Sequence, residues 1–243
     1  MLPLLIALQF LTSLPIRLPA MPEPEQQGRS LLYYPVVGLL LGALLGLAAF
    51  VLAGAAPLLQ AVLLLTLWVA LTGALHLDGL ADSADAWLGG FGDRDRTLQI
   101  MKDPRSGPVA VVVLVLLLLL KFTALLALLQ AQQYSALLLA PVLGRAALPA
   151  LFLCTPYVRP GGLGHALAAN LPHGGARGVL ALVAVGCLLF GSSGLIALSL
   201  AAVTFLLARR AMLRRLGGTT GDTAGALLEL VECTVLIGLA LQL

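Results

Sequence analysis

The sequence predicts an all-α, polytopic integral membrane helical bundle, and three observations carry that prediction. Hydrophobic residues make up 60% of the 243-residue chain and charged residues only 10%, against about 25% charged in a water-soluble domain. Apolar runs long enough to cross a bilayer recur from one end to the other. Those runs lack the alternating pattern of a membrane barrel, so their backbone polar groups must be satisfied inside helices.

The first element, in "MLPLLIALQFLTSLPIRLP", has no basic region ahead of its apolar part, unlike a cleaved signal peptide. Residues 2–14 are short for a span and are expected to form an interfacial or re-entrant helix. Spans are then expected near 31–53, 56–76, 108–131, 134–155, 176–192, 194–208 and 223–242. That makes about seven, within a range of roughly six to eight, and the fifth and sixth form a tight hairpin across "GSSG". The whole chain, 1–243, reads as one membrane-embedded catalytic domain.

Lys and Arg follow the same architecture. Arg17 and Arg29 precede the first long span, and Arg94, Arg96, Lys102 and Arg105 lie between the second and third. Arg159 and Arg177 bracket the next basic loop, and Arg209, Arg210, Arg214 and Arg215 precede the last span. The intervening connections hold neither Lys nor Arg, so every basic loop is expected on the cytoplasmic side of the membrane. A net charge of +3 gives no reason to expect nucleic acid. Cys154, Cys187 and Cys233 are far apart and have no metal spacing, which fits small packing residues.

Two carboxylate clusters stand out against this apolar background. In "ALHLDGLADSADAWLGG", Asp78, Asp82 and Asp85 are spaced i, i+4, i+7 and share a helix face within an arc of roughly 60°. The opposite face is apolar, so this is an amphipathic helix at the cytoplasmic edge. Like charges at that spacing repel unless a cation or a basic partner neutralises them. Hard oxygen ligands on one face suit Mg²⁺ or Mn²⁺, which binds one or two carboxylates together with substrate phosphates. A solvated or arginine-paired acidic face is the competing reading.

The second cluster is "GGTTGDTAGALLELVE", where Asp222, Glu229 and Glu232 fall within roughly 80° on an otherwise apolar helix. Carboxylates inside a span cost about 2.5–3.5 kcal/mol each, so a partner or a function is expected for them. The glycines ahead of Asp222 allow close approach of an anion to the helix N-terminus. In "MKDPRSGP", Lys102 and Arg105 could hold a phosphate or simply anchor the loop. Arg145 lies midway along an apolar run and must pair, with Glu229 or Glu232 as a plausible partner, or line a cavity. Lys121 is expected to snorkel outward, His76 to sit at the interface on the face away from Asp78, and the loop carrying His165 and His173 to cover the substrate.

Together these segments resemble the membrane-bound cobalamin synthases, the adenosylcobinamide-GDP ribazoletransferases. The resemblance covers nearly the whole chain, through "ALQFLTSLPIRLP", "GRSLLYYPVVGLLLG", "HLDGLADSADAWLGG", "IMKDPRSGP" and "GGTTGDTAGALLELVE"; Pro104 departs from the family pattern. It implies attack by a ribose hydroxyl of α-ribazole, or its 5′-phosphate, on adenosylcobinamide-GDP. The products would be adenosylcobalamin, or its 5′-phosphate, and GMP. On that basis Asp78, Asp82 and Asp85 are expected to bind Mg²⁺. Asp222, with Glu229 or Glu232, would complete a second metal position or act as base, and Asp82 is counted among the catalytic residues. Lys102, Arg105 and Arg145 are expected as phosphate clamps. Homo-oligomers and association with other nucleotide-loop assembly enzymes are compatible with this picture.

Other classes fit less well. A CDP-alcohol phosphotransferase would place Ala-Arg shortly after its Asp-Gly pair, and here "LADSAD" follows Asp78-Gly79. A membrane prenyltransferase would carry a tighter second Asp-rich motif. A transporter using Arg145, Glu229 and Glu232 as a coupling site would be expected to show inverted repeats, yet "DGLADSAD" occurs once.

Overall fold

The computed structural model describes residues 1–243, with the side chain of Leu163 left aside. The described residues form twelve α-helices. The only ladder-like pairing among the described residues is one isolated parallel bridge between Tyr157 and Thr219.

Helices α1 (Leu2–Leu11) and α2 (Pro24–Ser30) lead into α3 (Tyr34–Val51), and α4 (Pro57–Thr72) returns. Two consecutive residues in the left-handed region, Gly73 (φ 60°) and Ala74 (φ 58°), then break the chain. The next helix, α5 (Leu75–Gly89), turns 87° away from α4. Ser13 stabilises the break: its amide donates to Leu71 O at 2.8 Å and its hydroxyl to Ala70 O at 2.6 Å, satisfying carbonyls that the helix end leaves free.

Short α6 (Arg94–Ile100) precedes α7 (Pro108–Gln130), α8 (Ala136–Cys154) and short α9 (Leu163–Ala169). The chain closes with α10 (His173–Leu188), α11 (Gly191–Leu216) and α12 (Gly221–Ala240). Five segments are long and apolar enough to cross a membrane, and a sixth arises if the bent pair α4–α5 counts as one. The expected fifth span, near 176–192, corresponds to α10, which is apolar but only 16 residues long. The "GSSG" expected as a hairpin loop instead forms the first turn of α11, while Gly191 (φ 59°) turns the chain. Helix α11 also runs on through Arg209–Arg215, beyond the expected end near 208.

The core centres on α8 and α12, whose spans are the most buried. Helix α3 crosses α8 at Gly38 and Gly42; a Cβ at these positions would meet the backbone of Pro141 at 2.5 Å and of Leu137 at 2.8 Å. Small residues spaced by four let two backbones approach where lipid supplies no hydrophobic drive between helices. Large side chains of α3, α7 and α11, such as Leu39, Leu47, Val112, Leu116, Val203 and Leu206, point outward, as a lipid-facing surface requires. Cys187 and Cys233 are buried as packing residues, whereas Cys154 is exposed.

Candidate active site

Helix α5 lies across the beginnings of two long helices. At its near end Gly79 packs on α12, where a Cβ would meet Asp222 O at 2.8 Å; from the other side, a Cβ on Gly225 would meet His76 Cα at 3.3 Å. At its far end the Asp85 carboxylate accepts hydrogen bonds from the amides of Gly107 and Ala110, the latter at 3.0 Å. The N-terminus of α7 is thereby capped from a different helix, which satisfies two donors that the first turn cannot.

The entry to α12 is built with similar economy. Gly217 (φ 73°) ends α11, and Gly218 passes so close to Pro156 O that a Cβ would lie 2.3 Å away. The strand-like pair that results joins Val158 N to Thr219 O (2.9 Å) and Thr219 N to Pro156 O (2.8 Å). Thr220 then caps the helix: its hydroxyl accepts from Thr223 N at 3.2 Å, and its own amide donates to Thr223 Oγ1 at 2.9 Å. This pairing holds the α8–α9 loop beside α12, and Arg159 Nη1 donates to Asp222 Oδ2 at 2.6 Å.

Around that pair opens a cavity of about 420 Å³. Asp78, Asp222 and Arg159 line its polar side, Tyr157 and the glycines 161, 162 and 164 its loop side, and Phe10, Tyr34, Leu148 and Phe152 its apolar side. Asp82 sits one turn beyond Asp78 on α5. Partial burial, with the neighbouring carboxylates of Asp78 and Asp222, raises its carboxyl to about 6. Asp82 itself lies outside the cavity lining, and of the three neighbouring carboxylates only Asp222 is paired with Arg159, a surplus of negative charge that a cation or a protonated acid must relieve.

Several expected site residues lie elsewhere. Asp85 does not stand with Asp78 and Asp82 as a ligand, because both its oxygens face the α7 amides. Among the described residues, no three His, Cys, Asp or Glu side chains converge to hold a metal ion. Glu229, Glu232 and Arg145 are fully enclosed in the bundle and do not line the cavity. Glu232 bridges Arg145 and Lys121, and Glu229 takes the same lysine, with Lys121 Nζ 2.6 Å from each glutamate. Lys121, expected to snorkel outward, instead points inward to this cluster and lies 5.0 Å from the Trp68 ring centre. Two cations facing two carboxylates leave no net charge in the apolar layer, which is how such groups are tolerated there.

Lys102 is exposed and Arg105 is held by Asp103, Nε to Oδ1 at 2.9 Å and Nη2 to Oδ2 at 2.7 Å. Neither lines the cavity. The cationic group that does is Arg159, which the sequence presents only as one of many loop arginines. His76, expected at the interface on the face away from Asp78, is buried and lines the same cavity as Asp78. The loop around His165 does form a cavity wall, although through its glycines.

The sequence profile of cobalamin-5-phosphate synthase matches residues 3–240. The chain belongs to the cobalamin-5-phosphate synthase family. A Stutzerimonas stutzeri protein named adenosylcobinamide-GDP ribazoletransferase is 83% identical over 242 residues, covering 100% of this chain and 99% of its own. Proteins of the same name from Pseudomonas fluorescens and Pseudomonas entomophila are 68% and 65% identical, covering 99% and 100% of this chain and 100% of their own. No solved structure matches it significantly.

Proposed function

We propose that this chain transfers the cobinamide phosphate of adenosylcobinamide-GDP to a ribose hydroxyl of α-ribazole or its 5′-phosphate, releasing GMP. The observation that carries this reading is the convergence of Asp78, Asp222 and Arg159 on one cavity, in a chain whose relatives bear the name of that transferase. The ribose oxygen forms a bond to the phosphorus on the cobinamide side. The bond from that phosphorus to the bridging oxygen breaks, and GMP departs with that oxygen. Such a transfer asks the protein mainly to position groups and offset charge.

Arg159 is the donor that faces the diphosphate, and its contact with Asp222 holds it in place before substrate arrives. Asp222 is the cavity carboxylate that takes the hydroxyl proton. Asp78 and Asp82 fit Mg²⁺, which needs only one or two protein carboxylates when a diphosphate supplies further oxygens. When bound, that ion would offset negative charge developing on the phosphate oxygens. Asp85 does not belong to this set. The basic loops support a site facing the cytoplasm of a bacterial inner membrane.

The test is GMP release by purified protein in liposomes, with adenosylcobinamide-GDP and α-ribazole phosphate. The expected result is release that requires both substrates and Mg²⁺. Folded protein that releases no GMP with both substrates and any divalent cation overturns the reading.

A further inference from the structure

Two side chains that line the cavity carry polar groups with nothing to bind. Among the described residues, Nδ1 and Nε2 of His76 and the hydroxyl of Tyr34 are buried with no partner in hydrogen-bonding geometry, Ser30 lying beside the Tyr34 hydroxyl without completing one. Both residues line the cavity, His76 at 4% exposure and Tyr34 at 1%. Buried polar groups left unpaired are destabilising, and these two belong to side chains that line a cavity large enough for a ligand. The apolar wall of the cavity is formed by Phe10, Leu148, Phe152 and Leu167, with the Phe10 and Tyr34 rings stacked at 6.3 Å.

We infer that His76 and Tyr34 form the subsite for the acceptor nucleoside, whose base lies against the apolar wall and whose ring nitrogen and ribose hydroxyls pair with the imidazole and the phenol. This rests on the transferase reading above. Two substrates could in principle send a nucleoside here, and base chemistry separates them. Guanine presents an amide, an amine and further ring acceptors around its edge, and against Phe10, Leu148 and Phe152 most of these would be buried unpaired. The benzimidazole of ribazole carries only methyl groups and one free ring nitrogen, so an apolar wall with few polar groups suits it.

Size points the same way. A cavity of about 420 Å³ suits one small ligand, whereas a corrin ring with its amide side chains is far larger and must stay at the mouth. The ribose is then directed toward Asp222 and Arg159, where its hydroxyl must meet the diphosphate. A second, smaller cavity of about 300 Å³ on the far side of Phe10, Tyr34 and Leu167 is lined by α1 and α2 and includes Gln9 and Gln27.

The experiment measures both affinity and turnover for Tyr34→Phe and His76→Gln. Calorimetric titration of α-ribazole into the detergent-solubilised protein reads the subsite without the reaction. Steady-state GMP release reads KM for each substrate. The expected result is a loss of about tenfold in ribazole affinity and a matching rise in its KM for each variant, with KM for adenosylcobinamide-GDP unchanged. Tyr34→Phe removes one oxygen only, so it remains informative if His76→Gln fails to fold.

Unchanged ribazole affinity in a folded Tyr34→Phe overturns the inference. A selective rise in KM for adenosylcobinamide-GDP also overturns it, because the wall would then hold guanosine. Wild-type protein that binds ribazole, loses it in the variants and yet releases no GMP would keep the subsite and remove the transferase reading. Wild-type GMP release with indifferent variants would do the reverse.

Discussion

Arg159 Nη1 stands 2.6 Å from Asp222 Oδ2, joining the loop after α8 to the first turn of α12 across the cavity. The pair is partly open to solvent, so its contribution to folding is small; its value lies in aiming the guanidinium. Arg159→Ala should lower kcat/KM for GMP release by about 10²–10³-fold. Thermal stability should fall little. Arg159→Lys should recover only part of the rate, because a point charge does not reproduce the planar fork. Steady-state kinetics beside a melting curve would check both; wild-type kcat/KM in Arg159→Ala would remove this residue from the site.

The buried cluster of Lys121, Glu229, Glu232 and Arg145 should behave in the opposite way. Glu232 faces both cations, so Glu232→Gln leaves positive charge uncompensated inside the bundle. We expect a loss of about 3–5 kcal/mol, read as a shift in the unfolding midpoint in mild detergent. Lys121→Met should be similarly harmful, and combining it with Glu229→Gln should restore part of the loss by balancing the charge. A Glu232→Gln protein of wild-type stability but no activity would instead return these acids to catalysis.

The junction of α5 with α12 gives a third expectation. A Cβ on Gly79 would meet Asp222 O at 2.8 Å, backbone that cannot swing aside as a flexible side chain can. Gly79→Ala should push Asp78 away from Asp222 and lower GMP release at least tenfold while the protein still inserts and folds. Gly46, where a Cβ would meet nothing within 4 Å, is the control: Gly46→Ala should be silent.

How far the sequence revealed the site can be judged from these same residues. Helical spacing put Asp78 and Asp82 on one stripe, and the Gly-rich turn marked Asp222, because both are local properties of the chain. Asp85 shares that stripe, but which helix end sits opposite it depends on packing, and α7 begins there. Glu229 and Glu232 were visible as charges needing partners; that Lys121 turns inward to supply one was a tertiary fact. Arg159 lies 63 residues from Asp222, and nothing in the spacing of loop arginines separates it from the rest. His76 and Asp78 fall on different sides of a helical wheel, yet both reach the cavity because it wraps the first turn of α5.

The carboxylate surplus makes a prediction about protons. In metal-free protein, burial and the neighbouring acids raise Asp82 to about 6, above the ordinary carboxylate value of about 3.9. The protonated form is thus favoured on folding, so the site's contribution to stability is greatest below about pH 4. It declines as pH rises through 6. Mg²⁺ bound at Asp78 and Asp82 should pull the Asp82 titration back down, which infrared spectroscopy of the carboxyl bands can follow with Asp82→Asn as reference. A titration near 6 that Mg²⁺ leaves in place would argue against metal at these residues.

The measurement that bears most directly on the whole account compares GMP release by Asp78→Asn, Asp82→Asn and Asp85→Asn in liposomes under identical Mg²⁺. Asp78→Asn and Asp82→Asn should lose at least about 100-fold, because the proposed function assigns these carboxylates to Mg²⁺ at the diphosphate. Asp85→Asn should keep most of the rate and instead lose about 1 kcal/mol of stability with its cap on α7. Equal, severe losses in all three folded proteins would contradict this assignment, and so would full activity in Asp78→Asn.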